Sequence, residues 1–118
     1  MRPLGVHHVS INVRDADVAV DFYTRVLGLT VRDDRPDLRF AGAWLDLGDQ
    51  QVHLLQLDVP RDVGQHFAIA VDDLDAAVES VRAHGVDVSE PSGVGSGRQA
   101  FLHDPSGNRI ELHQPASR

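Results

Sequence analysis

His8-Val-Ser-Ile-Asn-Val-Arg-Asp-Ala-Asp-Val-Ala-Val20 and His66-Phe-Ala-Ile-Ala-Val-Asp-Asp-Leu-Asp-Ala-Ala-Val78 are two versions of one segment, identical at seven of thirteen positions and separated by 58 residues. The shared positions are His8/His66, Ile11/Ile69, Val13/Val71, Asp15/Asp73, Asp17/Asp75, Ala19/Ala77 and Val20/Val78. At the same offset Gln51-Val-His-Leu-Leu-Gln56 falls over Arg109-Ile-Glu-Leu-His-Gln114, which sets His53 against Glu111. Two separated blocks agreeing at one offset are the mark of an internal repeat. The chain therefore reads as two copies of one supersecondary unit, over 4–57 and 65–114, with the turn-rich stretch 58–65 between them and 115–118 as a short tail. Neither copy alone buries enough surface to stand, so 4–114 is expected to form a single domain.

Each copy has the same periodicities. Val6 to Val13 alternates as a strand, with Val9, Ile11 and Val13 on one face and His8, Ser10 and Asn12 on the other. Asp15 to Leu27 has apolar residues at helical spacing, with Asp15 placed to cap its start and Gly28 its end. Short strands follow at 29–32, 41–47 and 51–57, the last two joined by a Gly48-Asp49 turn. The second copy predicts strand 66–71, helix 73–84, strands 86–88, 99–103 and 108–113, and a glycine-rich segment, Gly93 to Gly97, read as a lid. The fold class is α+β: two βαβββ units forming a cupped mixed sheet with helices on its outer face.

Composition narrows the chemistry. There is no cysteine, so disulfides, thiolate ligands and a cysteine nucleophile are excluded, and a reducing, cytoplasmic setting is expected. Eleven basic residues, all arginine, against eighteen acids give a net charge of −7, which argues against nucleic acid as a partner. No signal peptide opens the sequence and no apolar run spans a bilayer, so no membrane partner is expected. Seven histidines in 118 residues are the unusual feature.

The repeat gives those histidines a geometry. His8 and His66 open the first strand of each unit, and His53 and Glu111 lie in the last. By alternation all four point away from the apolar faces that pack on the helices. Four polar side chains on a wet sheet face is the plain alternative. Matched positions favour a first-row transition-metal site of three imidazoles and one carboxylate, taking Zn, Ni, Co, Fe or Mn rather than Mg. Ser10 shares the face of His8 and is a candidate contact for substrate oxygen. Trp44 is a candidate pocket wall, or else a core or interface tryptophan. His113 shares the face of Glu111, whereas His7 and His103 should point elsewhere.

The stretches His7-His8-Val-Ser-Ile-Asn-Val, Phe22-Tyr23-x-x-Val-Leu-Gly28-Leu and Asp104-Pro-Ser-Gly-Asn-Arg-Ile-Glu111-Leu resemble the vicinal-oxygen-chelate superfamily over nearly the whole chain. That superfamily includes glyoxalase I, methylmalonyl-CoA epimerase, fosfomycin-modifying thiol transferases, extradiol dioxygenases and bleomycin-sequestering proteins. The resemblance implies a homodimer, with a metal bound at positions that fall here on His8, His53, His66 and Glu111. It also implies a small-molecule substrate chelated through two neighbouring oxygens. Four protein ligands leave two open positions, which suits an enediolate-stabilising isomerase or lyase and crowds a dioxygenase. Glu111 is then the candidate proton acceptor. The alternatives are a fosfomycin-type thiol transferase, whose expected lysine and tyrosine are missing near Glu90 and Gln99–Ala100, and a resistance-type binding protein. A pure binder would have no physical use for four ligating residues.

Overall fold

The computed structural model describes residues 1–117 and divides into two compact units, one ending at Pro60 and the other beginning at Arg61. The last residue of the expected tail, 118, lies outside the described residues. Among the described residues no helix is long and apolar enough to cross a membrane.

The first unit runs β1 (His8–Val13), α1 (Ala16–Asp21), a π-helical turn (Phe22–Val26), β2 (Thr30–Val31), β3 (Gly42–Leu47) and β4 (Gln50–Gln56). The second runs β5 (His66–Ala70), α2 (Leu74–Arg82), β6 (Ser92–Val94), β7 (Gly97–His103) and β8 (Arg109–Gln114). Strand order is β1-β4-β3-β2 in one sheet and β5-β8-β7-β6 in the other, so both units are βαβββ with the same wiring. First and last strands pair in parallel, Ser10 opposite His53 and Ala68 opposite Glu111, while the remaining pairings are antiparallel. Between first and last strands the 58-residue repeat is thus preserved in the hydrogen-bond register itself.

A matched pair of side-chain bonds secures the helix starts. Asp15 accepts from the backbone N–H groups of Asp17 and Val18 (2.9 and 3.1 Å), and Asp73 accepts from that of Ala76 (3.0 Å). These bonds satisfy donors that a first helical turn leaves without partners. The side-chain oxygen of Gln56 takes the Ala16 N–H at 2.9 Å, and that of Gln114 takes the Leu74 N–H at 2.8 Å. Each helix is therefore tied to the end of its unit's last strand. Beneath α1 the first core contains Val13, Tyr23, Leu45, Val52 and Leu54, all with no exposed surface; beneath α2 the second contains Leu74, Leu102 and Ile110.

Three local expectations are corrected. The helix predicted from Asp15 to Leu27 is α-helical only to Asp21. It then widens, with the Leu27 N–H bonding the Phe22 carbonyl at 3.3 Å and the Leu29 N–H the Tyr23 carbonyl at 2.9 Å. The wider turn lets the adjacent Phe22 and Tyr23 both be buried. The strand expected at 86–88 is absent, and the third element of the second unit is β6. The glycine-rich segment is consequently a two-residue hairpin, with Val94 paired to Gly97 and Gly95 at φ +54°, rather than a lid.

Close approach decides one glycine. A Cβ at Gly42 would collide with the Leu54 carbonyl oxygen and sit 3.0 Å from Arg35 Nη2. Gly42→Ala is expected to lower stability by roughly 2 kcal/mol, the scale of an overpacked site, measured by chemical denaturation. A variant as stable as the parent would contradict this packing.

Candidate metal centre

The register brings the proposed ligands together in pairs, one pair per unit. In the first unit Ser10, His53 and Trp44 lie in one row across β1, β4 and β3. The His53 ring is sandwiched: His8 stacks on it at 4.0 Å between centroids and 14° between planes, and Trp44 at 4.5 Å and 10°. Ser10, Trp44 and His53 line one cavity of about 190 Å³, whose wall also includes Arg35, Leu38 and Phe40. Ser10 and Trp44 therefore lie beside His53, one of the four ligand candidates.

His53 is buried, and burial, more than the neighbouring His8, His7, Arg32 and Arg35, pulls its pKa below the ordinary imidazole value. The ring is held neutral at physiological pH, the state that ligates metals. Its Nε2 lies 2.8 Å from the side-chain oxygen of Gln51, which must turn aside if that nitrogen is to bind a cation. His7, expected to point away, instead brings its Nδ1 to 2.9 Å from His8 Nδ1. It precedes β1, where strand alternation does not yet apply.

In the second unit the corresponding row is Ala68, Glu111 and Phe101. His66 Nδ1 lies 2.8 Å from the Gly64 carbonyl, which only accepts, so Nδ1 carries the proton. The bare Nε2 of a neutral ring then faces Glu111 Oε1 at 3.0 Å, one acceptor against another. A cation between them, proton or metal, reconciles the pair, and an Nδ1–H bond to a carbonyl is the usual anchor of a metal-binding histidine. Glu111 is itself buried, and its other oxygen is held by His113 Nδ1 at 2.8 Å. His113 therefore acts on the carboxylate, and the edge of Phe101 meets His66 at 5.3 Å.

Among the described residues no three His, Cys, Asp or Glu side chains form a metal-holding group. Each pair is two donors, short of the three or four protein ligands a transition metal takes. The donor set fits such a metal only if both pairs contribute.

Behind His66 stands a support that sequence reading missed. Asp62 accepts from His103 Nε2 (2.8 Å), Arg109 Nε (3.1 Å) and the Gly64 N–H (2.9 Å), and so fixes the loop whose carbonyl orients His66. His103, set aside from sequence, is thus a structural partner of Asp62. The His103 bond first, and then the Gly64 N–H, draw the Asp62 carboxyl down to about 2. A carboxyl lowered by folding contributes stability that is present above its unfolded value, near 3.8, and lost as pH falls through the folded one. Asp62→Asn is expected to lower the melting temperature at neutral pH and to flatten its decline between about pH 4 and pH 2. Parallel profiles by calorimetry would remove this role.

Residues 5–112 match the model of the Glyoxalase/Bleomycin resistance protein/Dioxygenase superfamily. A lactoylglutathione lyase of Neisseria meningitidis serogroup A is 35% identical, covering 93% of this chain and 90% of that protein. A lactoylglutathione lyase of Arabidopsis thaliana is 34% identical over 91% of this chain, which spans only 43% of that relative and 34% of a second, chloroplastic one. Among solved structures, TnmS3, an antibiotic binding protein from Streptomyces sp. CB03234, is 29% identical with a TM-score of 0.85, covering 98% of this chain and 99% of that one.

Proposed function

The chain belongs to the glyoxalase/bleomycin resistance protein/dioxygenase superfamily, and on that premise we propose that it is a metal-dependent lyase or isomerase of glyoxalase type. In this reading His8, His53, His66 and Glu111 hold one divalent transition metal, and Glu111 doubles as the base. The observation that carries it is the His66–Glu111–His113 chain, a buried carboxylate with one oxygen facing a ligating imidazole and the other tethered. When bound, the cation would polarise two neighbouring oxygens of a small substrate and stabilise the negative charge that develops there.

The protein side chains do the rest. Glu111 takes the proton at Oε1, the oxygen that faces His66, while His113 holds Oε2 in place. A carboxylate can loosen from a metal and accept a proton, which an imidazole ligand does not do easily. Trp44 lies flat against His53 and offers an apolar wall to the substrate. Ser10 Oγ supplies a hydrogen bond to one of its oxygens. A cytoplasmic homodimer completes the proposal, each metal drawing ligands from both chains, because each unit contributes only two.

The test is elemental analysis after reconstitution with Zn, Ni, Co, Fe or Mn, beside hemithioacetal turnover and light scattering. Expected are stoichiometric metal, turnover lost to a chelator and restored by metal, and a mass about twice 12.9 kDa. Absence of metal binding would overturn the assignment. The stacked first-unit cavity and the likeness to an antibiotic binding protein favour a second reading as a small-molecule binder. Tight stoichiometric binding without metal or turnover would establish that one.

A further inference from the structure

We propose that Arg35 recognises a carboxylate on the ligand that enters the first-unit cavity, seated beside the Trp44–His53 stack. The inference deepens the reading above by naming one chemical group of its substrate. It rests on that reading only for the word substrate.

Four arginines are half-buried: Arg32, Arg35, Arg98 and Arg109. Three of them meet carboxylates, Arg32 with Asp46 at 2.7 Å, Arg98 with Asp75 at 3.0 Å and Arg109 with Asp62 at 3.1 Å. Arg35 has no such partner among the described residues, although the chain has eighteen acids and a net charge of −7. A half-buried charge left unpaired is costly, and it persists where function needs it.

The guanidinium is held in place all the same. Nη2 donates to the Phe40 carbonyl at 2.8 Å, and the group lies 5.4 Å from the centre of the Phe40 ring. Gly42 gives it room, since a Cβ there would stand 3.0 Å from Nη2. Of five N–H donors one is used by Phe40, so a two-pronged carboxylate contact remains open. Most of the remaining wall is apolar or aromatic, with Leu38, Phe40, Trp44, Leu54 and Leu55, and Ser10 and His53 are its polar members. A volume of about 190 Å³ is below that of a whole-ligand pocket, so the cavity fits one end of a molecule. That end is a short apolar or planar segment terminating in a carboxylate.

Trp44 is the only tryptophan, so selectively excited tryptophan fluorescence reports on this cavity alone and needs no metal. The full chain, as purified and after chelator treatment, is titrated with phenylacetate and with its neutral isostere phenylacetamide. Expected in both preparations is at least about tenfold tighter binding of the acid, the scale of a charge-assisted pair, with the advantage shrinking as salt is raised. Arg35→Gln should bring the two probes within about twofold of each other, and Arg35→Lys should retain part of the difference. Near-ultraviolet circular dichroism confirms that the variants are folded, and salt dependence in the parent supplies a check that needs no variant. Equal binding of acid and amide, no binding of either, or a preference that survives Arg35→Gln would overturn the proposal. Failure of metal loading would instead sink the lyase reading and leave this result standing.

Discussion

Replacing Glu111 with glutamine is expected to leave much of the metal in place while kcat falls by about 10²- to 10⁴-fold, the usual contribution of a positioned base. The amide oxygen can still ligate weakly, and His66 remains anchored through Nδ1 to Gly64. What disappears is the proton acceptor. The amide can keep both of the contacts seen here, its N–H donating to the bare His66 Nε2 and its oxygen accepting from His113 Nδ1, so the loss reports on proton acceptance rather than on misplacement. Metal content measured beside hemithioacetal turnover decides the matter. Full activity with metal bound would show that Glu111 is not the base.

His66→Ala, and equally His8→Ala, should abolish metal loading, and activity with it. In the second unit the loss leaves a single proposed donor, Glu111, whose facing nitrogen is gone. In the first it leaves His53 stacked only on Trp44. Either way a strong imidazole ligand is lost and the paired arrangement is broken. His53→Ala should cost least, because Nε2 is already engaged by Gln51. Competition with protons should weaken loading in the parent as pH drops through the imidazole range. Spectrometric metal content for the three variants, with calorimetry to confirm folding, ranks them. Stoichiometric metal in His66→Ala would remove His66 from the ligand set.

The wiring of each unit was legible because a repeat doubles every signal. Asp15 and Asp73 announce the two helices, and alternation at His8–Val13 and Arg109–Gln114 gives the strand faces. The row Ser10–His53–Trp44 could be anticipated in part, since period two places Ser10 beside His8. The supports were not legible. Asp62 and Arg35 lie in loops, where neither periodicity nor repeat position constrains a side chain, and each bonds a backbone group that sequence patterning does not reveal. His7 falls inside the stretch Val6 to Val13 that alternates in sequence, but one residue before β1 begins, so alternation does not govern where it points. Phe101 was hidden for another reason. Its strand register makes it the counterpart of Trp44, but it stands 57 residues away instead of 58.

That missing residue leads back to the π-helical turn. Twelve positions separate Ala16 from Gly28, but eleven separate Leu74 from Gly85, and both glycines end at φ +79°. The first copy therefore holds one residue more within its helix, and the widened turn at Phe22–Val26 is where it is stored. The debt is cleared at the hairpin: nine positions run from Trp44 to His53, but ten from Phe101 to Glu111. Two single-residue length changes, one per copy, offset each other, and the ligand strands stay in phase. After duplication, each half could drift in length wherever a helix or turn absorbed the change, while any shift inside β4 or β8 would have swung His53 or Glu111 to the opposite face. The length differences between the two copies thus fall in the connections, and His53 and Glu111 keep matching places in β4 and β8.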